Sequence, residues 1–459
     1  MFTISDIAEA TGGRVIGVSE GEVNGISTDS RSVISGELFV PLRGTSYDGH
    51  DYLEAVAGQG IEAVLAEEEW LAGHHLPDRL TCIAVNDTLR ALGDLAAAYR
   101  QRYEIPVVGI TGSNGKTTCK EMLAAILNQL GSGLKTAGNL NNLIGLPQML
   151  FRLGPEHGWA VLEMGMSEPG EIDRLAEIAA PQVGVVLNAF PAHLESMESI
   201  ENVARAKGEL LLRLPDGGCA VVNADDPLIA AQPSPDSVRR ITFGLGKAEI
   251  RATAIESRGI HGQSFTLQIG EAELFVRLAA FGRHSIYNAL AAAAAAHALG
   301  IPAEIIANGL ALFRPYDKRF NLEQVGGLIL IDDSYNANPA SMGAALSTLA
   351  ELKGDRSAFV ALGDMLELGG NEADLHLEIG IQAAQVADRL YLYGPLTVYA
   401  AEGAISAGMP AEAVIRGMSH EEIAADILSR AAEGDFILLK GSRGMRMEKV
   451  AESIRTRFH

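Results

Sequence analysis

Apolar residues in this chain come in continuous runs of four to six, separated by longer stretches where apolar positions recur at helical spacing. Short runs with no polar alternation predict strands buried on both faces, the signature of a mostly parallel sheet covered by helices. In the first hundred residues a helix is expected over 5–10 and strands over 37–40, 63–66 and 82–85. From 105 the strand–helix alternation becomes regular, with strands expected at Val107–Ile110, Trp159–Glu163, Val183–Leu187 and Ala220–Asn223. Between Arg251 and Phe281 the pattern changes to alternating apolar and polar positions, which predicts a hairpin or small antiparallel edge. The alanine content of Ser285–Leu299 predicts a helix. Four further runs, Leu328–Asp332, Ala358–Leu362, Leu390–Tyr393 and Phe436–Leu439, predict a doubly wound block. The fold class is therefore α/β. At about 150 residues per domain the 459 residues suggest three, divided as 1–104, 105–313 and 314–459.

One stretch interrupts this pattern with chemistry. Gly109-Ile110-Thr111-Gly112-Ser113-Asn114-Gly115-Lys116-Thr117-Thr118 lies between a predicted strand and a predicted helix. Glycines bring backbone N–H groups close to an anion, the helix start adds positive potential, and Lys116 adds a mobile cation, so the stretch is a phosphate cradle. Thr117 is placed to offer a hydroxyl to Mg²⁺. The strict spacing of such loops would put a glycine at 110, where this chain has Ile, so the loop is a variant.

Charge narrows the partners. Lys plus Arg number 36 against 58 Asp plus Glu, a net charge of -22, which argues against nucleic acid. The three cysteines, Cys82, Cys119 and Cys219, have no paired spacing, so neither a disulfide framework nor a zinc site is expected. The first residues lack a basic and then apolar leader, and the longest apolar tract, Ala289–Ala296, is far too short to cross a bilayer. A cytoplasmic, soluble protein without membrane insertion is expected.

Candidate ligand groups gather where strands end. Glu163, Asn188 and Asn223 each close a predicted strand, the end at which open α/β sheets bind ligands. His193 follows one of these strands and, taken alone, reads as structural. Lys207 falls within the apolar helical stripe Ile200, Val203, Leu210 and Leu214, where an ammonium must snorkel, pair or be chemically changed. Two polar loops, 138–147 and 332–339, are suited to touching a ligand. On composition alone the cluster Ser27-Thr28-Asp29-Ser30-Arg31 reads as a solvated turn.

Taken together, these stretches resemble the ATP-dependent Mur ligases. The likeness covers the whole chain: the ATP loop at 109–118, the loops at 138–147 and 333–339, Gly363–Gly369, Lys440–Gly444, and Thr28–Arg31, which the resemblance turns from a solvated turn into a substrate contact. It implies a domain for a UDP-sugar peptide, a central ATP domain and a Rossmann-like domain for an incoming amine. It also implies a reaction in which ATP phosphorylates the terminal carboxylate of UDP-N-acetylmuramoyl-tripeptide and the amine of D-alanyl-D-alanine displaces phosphate, giving an amide bond. By motif position Thr111, Gly112, Ser113, Asn114, Gly115, Lys116 and Thr117 hold the phosphates, Asn288 the adenine, and Arg319 and Asp333 other parts of the nucleotide. Thr117 and Glu163 are implied for one Mg²⁺, and His193 with Lys207 for a second, Lys207 being carbamylated. Lys116, His193 and Lys207 are thus the implied catalytic set. Thr28, Asp29, Ser30, Arg31, Asn139 and Asn142 are the implied contacts to the sugar peptide, and Ser334, Tyr335, Asn336 and Asn338 those to the amine. Ser285 stands where the family commonly has Asn. A monomer is expected. The competing readings are another amide ligase of the superfamily, of the third-residue-adding or folylpolyglutamate type, and a nucleotide-driven switch or motor. No Asn-Lys-x-Asp guanine motif occurs.

Overall fold

Every residue of Val107–Thr111, Ala160–Glu163, Val183–Val186 and Cys219–Asn223 is buried, as continuous apolar runs require of strands covered on both faces. The structure of the chain, a computed structural model, describes residues 2–191 and 194–458, without the side chains of Leu194 and Glu195. It forms two compact units. The first takes the chain up to Gly109 with Ser132–Met166 and Glu171–Gln182; the second takes Ile110–Gly131, Ser167–Gly170 and the chain from Val183 onward.

In the first unit a five-stranded sheet runs in the order Arg14–Ile16, Thr81–Val85, Ala63–Glu67, Glu37–Phe39, Gly25–Ser27, parallel except at its first pair. Thr3 and Asp6 form a reciprocal capping box at the helix Ile4–Thr11, and Asp87 caps Thr88–Arg100. A second parallel pair, Leu134–Lys135 with Ala160–Glu163, carries the loop 138–147 and the short helix Gly145–Leu150.

The second unit holds the strands Val183–Val186, Cys219–Asn223, Arg239–Gly244 and Ile250–Ser257, parallel in that order, continued by the antiparallel strands Gln263–Ile269 and Ala272–Leu278. The expected antiparallel edge is present. The helix Gly282–Ala298 starts three residues before the expected Ser285, packs on the helix Lys116–Leu127, and has each residue from Ala289 to Ala296 at 0% exposure. A helix apolar all round belongs in a core, and small alanines let it approach its neighbour closely. A six-stranded sheet follows, ordered Asn321–Val325, Leu328–Asp333, Phe436–Lys440, Ala358–Gly363, Arg389–Tyr393, Val414–Arg416, and parallel apart from the first hairpin. Apolar clusters cover both of its faces, so it is the expected doubly wound architecture. No described helix is long and apolar enough to cross a membrane.

Candidate active site

The phosphate loop is built in the second unit, and its glycines are required by contact. Gly115 has φ +89° and would drive a Cβ into the Asn288 side chain; Gly112 has φ +155° and would bring a Cβ to 2.8 Å from Leu187 Cβ. Lys116 Nζ donates to the Gly112 carbonyl at 2.6 Å, curling over the loop. Asn188 grips the loop from the next strand: its Oδ1 accepts from Asn114 N at 2.9 Å and its Nδ2 donates to Asn114 O at 3.1 Å. Ser113 Oγ accepts from Phe190 N at 3.0 Å. The sequence marked Asn188 only as a polar strand end, because a partner 74 residues away leaves no local pattern.

The twelve-residue helix Lys116–Leu127 opens directly from this loop, so its unpaired N–H groups and dipole favour an anion there. Two buried polar atoms, Thr111 Oγ1 and Arg319 Nε, have no hydrogen-bond partner among the described residues. Buried polar groups are rarely left so, and a polyanionic ligand at the loop would use them. Arg319 Nη2 donates to Thr117 Oγ1 at 3.4 Å, and its guanidinium lies 3.7 Å from the Tyr335 ring centroid. Lys318 (φ 59°) and Phe320 (φ 45°) on either side are left-handed, a strained backbone that fixes where Arg319 emerges.

The loop 333–339 meets the phosphate loop through asparagine. Asn338 Nδ2 donates to Asn114 Oδ1 at 2.8 Å and Asn114 Nδ2 donates to Asn338 Oδ1 at 3.2 Å. Asp333 accepts from buried Lys440 Nζ at 2.6 Å and from Phe320 N at 3.0 Å, and Lys440 also donates to the Asn336 carbonyl at 3.0 Å. Burial holds His284, beside this pair, below the usual histidine range. Ser334 is turned inward, its hydroxyl donating to buried Asp332 at 2.5 Å. The buried Asn288 stands against Gly115, and Ser285 is buried one turn earlier on the same helix.

Lys207 is 3% exposed on the helix Ile200–Leu212. Burial first, and then the positive charge of Lys116, holds the Lys207 pKa well below the usual lysine range, which disfavours the charged form. Glu163, in the first unit, is buried and its N–H donates to Thr136 Oγ1 at 2.8 Å. His193 lies outside the described residues.

Also in the first unit, Arg31 clamps Asp29 with two side-chain hydrogen bonds of 2.8 and 2.7 Å, and this holds the Asp29 carboxyl down at about 2. Gln148 Nε2 donates to Thr28 Oγ1 at 3.0 Å, joining that cluster to the helix after the loop 138–147. Asn142 Oδ1 accepts from Gly145 N at 2.8 Å, while the Asn139 carbonyl accepts from Asn141 N at 2.8 Å. The structure therefore gathers Thr28–Arg31 with the loop 138–147 in one unit, and the phosphate loop with Asn288, Arg319, Asp333 and Asn338 in the other.

Three family descriptions match the chain in succession: "Mur ligase family, catalytic domain" over residues 22–100, "Mur ligase middle domain" over 110–296, and "Mur ligase, glutamate ligase domain" over 318–443. A UDP-N-acetylmuramoyl-tripeptide--D-alanyl-D-alanine ligase of Bacillus subtilis (strain 168) is 35% identical over 456 residues, covering 98% of each chain. The crystal structure of MurF from Acinetobacter baumannii has a TM-score of 0.90 at 32% identity and covers 99% of both chains. The MurF ligase of Thermotoga maritima, solved with ADP, has a TM-score of 0.84 at 28% identity and covers 95% of this chain and 98% of its own. With likeness of this extent on every domain, and a phosphate loop built as its sequence required, the chain belongs to the Mur ligase family of ATP-dependent ligases.

Proposed function

We infer that this chain joins D-alanyl-D-alanine to UDP-N-acetylmuramoyl-tripeptide, forming an amide bond at the cost of ATP and releasing ADP and phosphate. The observation that carries the reading is the end-to-end likeness to D-alanyl-D-alanine-adding ligases together with a phosphate loop hydrogen-bonded to the loop 333–339. The product is a UDP-linked pentapeptide, a peptidoglycan precursor. Its nucleotide-linked substrate is water-soluble, which agrees with work in the cytoplasm.

A carboxylate is a poor electrophile, so the peptide's terminal carboxylate first takes the γ-phosphoryl group of ATP. The resulting acyl phosphate has a good leaving group, and the amine of the dipeptide attacks its carbonyl, expelling phosphate and losing one proton. Gly112 to Thr117 receive the phosphates through backbone N–H groups, and Lys116 leaves the Gly112 carbonyl to follow the transferring phosphoryl. Asn288 contacts the adenine, and Arg319 and Asp333 other parts of the nucleotide, with Arg319 held for this by Tyr335 and its strained neighbours. Mg²⁺, when bound, would neutralise phosphate charge; Thr117 and Glu163 are the side chains we assign to one ion, and His193 with Lys207 those we assign to a second.

Lys207 enters that set as a carbamate. Its neutral amine would add to CO₂, forming an N–C bond and releasing one proton, and the resulting carbamate would be an oxygen ligand suited to a hard metal. Thr28, Asp29, Ser30, Arg31, Asn139 and Asn142 take the sugar peptide; Tyr335 and Asn336 face the amine. A phosphate-release assay tests the reading: release is expected only with ATP, the UDP-tripeptide and D-alanyl-D-alanine all present. Release with ATP alone would favour a motor or switch, and turnover with glutamate or a diamino acid as the amine would favour another ligase of the superfamily.

A further inference from the structure

The strands Leu328–Asp333 and Phe436–Lys440 are parallel neighbours, with Asp333 opposite Lys440, and the loops that leave them are joined at their carboxyl ends. Ser442 Oγ donates to the Ala337 carbonyl at 3.4 Å, and Arg443 N donates to Asn336 Oδ1 at 3.4 Å. Arg443 thus stands at the end of an open α/β sheet where ligands collect. Its Nη1 donates to Glu448 Oε1 at 2.7 Å, and Glu448 is 8% exposed in the first turn of the helix Glu448–Thr456. Among the described residues the Arg443 side chain has no further hydrogen-bond partner and is 60% exposed. Nε and Nη2 are therefore open, the same edge with which Arg31 grips Asp29.

Nearby cations already have tasks. Buried Lys440 is held by Asp333, Lys318 Nζ donates to Glu448 Oε1 at 3.4 Å, and Arg319 turns to Thr117. Arg319 and Arg443 share one ring: their guanidinium carbons lie 3.7 and 5.9 Å from the centroid of Tyr335. A row of side chains therefore leads from Thr117 in the phosphate loop through Arg319 and Tyr335 to Arg443. D-Alanyl-D-alanine keeps its carboxylate when its amine attacks, and that anion enters a chain of net charge -22 beside a polyphosphate. Two residues span about 7 Å, so a dipeptide laid over Tyr335 with its amine towards the phosphate loop brings its carboxylate to Arg443.

We propose that Arg443 recognises the free carboxylate of the incoming dipeptide through Nε and Nη2, with Glu448 as the positioning residue that holds Nη1. A carboxylate on a guanidinium fork accepts two parallel charge-assisted bonds, which a carboxamide cannot match. The proposal rests on the ligase reading and adds to it what selects the amine, a free carboxyl end.

The test compares D-alanyl-D-alanine with D-alanyl-D-alaninamide in phosphate-release kinetics with ATP and the UDP-tripeptide. Wild type should have a KM about tenfold or more lower for the acid. R443M should raise the acid's KM by about that factor, leaving kcat and the amide's KM within about twofold. E448Q should raise the acid's KM alone, and add nothing once Arg443 is gone. Arg446, an exposed cation of the same loop, controls for general charge, and R446M should leave the acid's KM unchanged. Binding of a non-hydrolysable ATP analogue checks the fold of each variant. If R443M fails that check, R443K, which keeps the charge but not the fork, replaces it and should lose part of the same preference. Equal KM values for acid and amide in the wild type, equal losses on both substrates in the Arg443 variant or in E448Q, or a loss in R446M as large as in R443M would overturn the proposal. Wild-type failure with both dipeptides would reject the ligase reading, and this proposal with it.

Discussion

Lys116 Nζ reaches back over its own loop to the carbonyl of Gly112, at 2.6 Å. The ammonium is thus parked on a neutral acceptor from which a phosphate oxygen can take it, since an ionic partner outcompetes a neutral one. Lys116→Ala should lower ligation on the order of 10² to 10³-fold or more, because a transition-state cation is lost. The fold should keep its thermal midpoint within a few degrees, because the hydrogen bond to the Gly112 carbonyl contributes about 1 kcal/mol. Phosphate release and a melting curve on the same preparation check both. Near-wild-type turnover would remove the phosphate loop from the mechanism.

Gly115→Ala separates loop geometry from loop charge. The variant keeps Lys116 but meets φ +89° and the Asn288 side chain at once. It should lose about 1 to 3 kcal/mol of stability and bind ATP analogue more weakly. Gly131→Ala is the control: its φ of +143° is also left-handed, but nothing lies within 4 Å of an added Cβ. If the two variants bind nucleotide alike, the Gly115–Asn288 contact has no part in holding the base.

What the sequence made legible follows from how each element is stabilised. Val183–Val186 and Phe436–Lys440 are buried on both faces, so their continuous apolar runs announce them. Glu22–Val23, Asn321–Val325 and Val414–Arg416 were not expected, being short or at sheet edges, where half-exposed positions dilute the pattern. Phosphate-loop residues were legible because glycine, lysine and threonine are needed there for local reasons. Asn188 was noticed but given no task, and the hydroxyl of Ser334, a residue expected at the amine, donates to Asp332. Both outcomes depend on which way a side chain turns, and composition does not encode that.

The Asp29–Arg31 clamp predicts a pH dependence. The folded carboxyl titrates at about 2 against an ordinary 3.8, chiefly through the Arg31 hydrogen bonds. A depressed acid contributes its pairing in full above the unfolded value and loses it as pH falls through the folded one. The clamp should therefore persist at pH 4 and open near pH 2, and Arg31→Ala should return Asp29 towards 3.8. An NMR titration of the Asp29 carboxyl carbon reads both. Exposed pairs add little to stability, so the variant's melting temperature should hardly change; a value for Asp29 unaltered by removing Arg31 would show that the guanidinium does not set it.

Lys207 tests the carbamate through stability as well as rate. Burial holds its pKa well below 10.5, so between the folded and unfolded values the unfolded chain binds the extra proton. Stability contributed at this site therefore rises with pH through that window, and a buried lysine whose ammonium is disfavoured costs free energy at pH 7. Lys207→Met fills the same apolar stripe without that cost, and should melt at or above the wild-type temperature at pH 7 while being nearly inactive. Lys207→Ala should also be nearly inactive, and formate or acetate, able to occupy the vacated space as an oxygen ligand, should restore part of its rate. The methionine variant has no such space and should not respond. Full activity of either variant without a rescuing carboxylate would exclude a carbamate at 207 as a part of the reaction, whereas loss of folding in Lys207→Met would mean that the lysine is a structural cation and not a buried neutral amine.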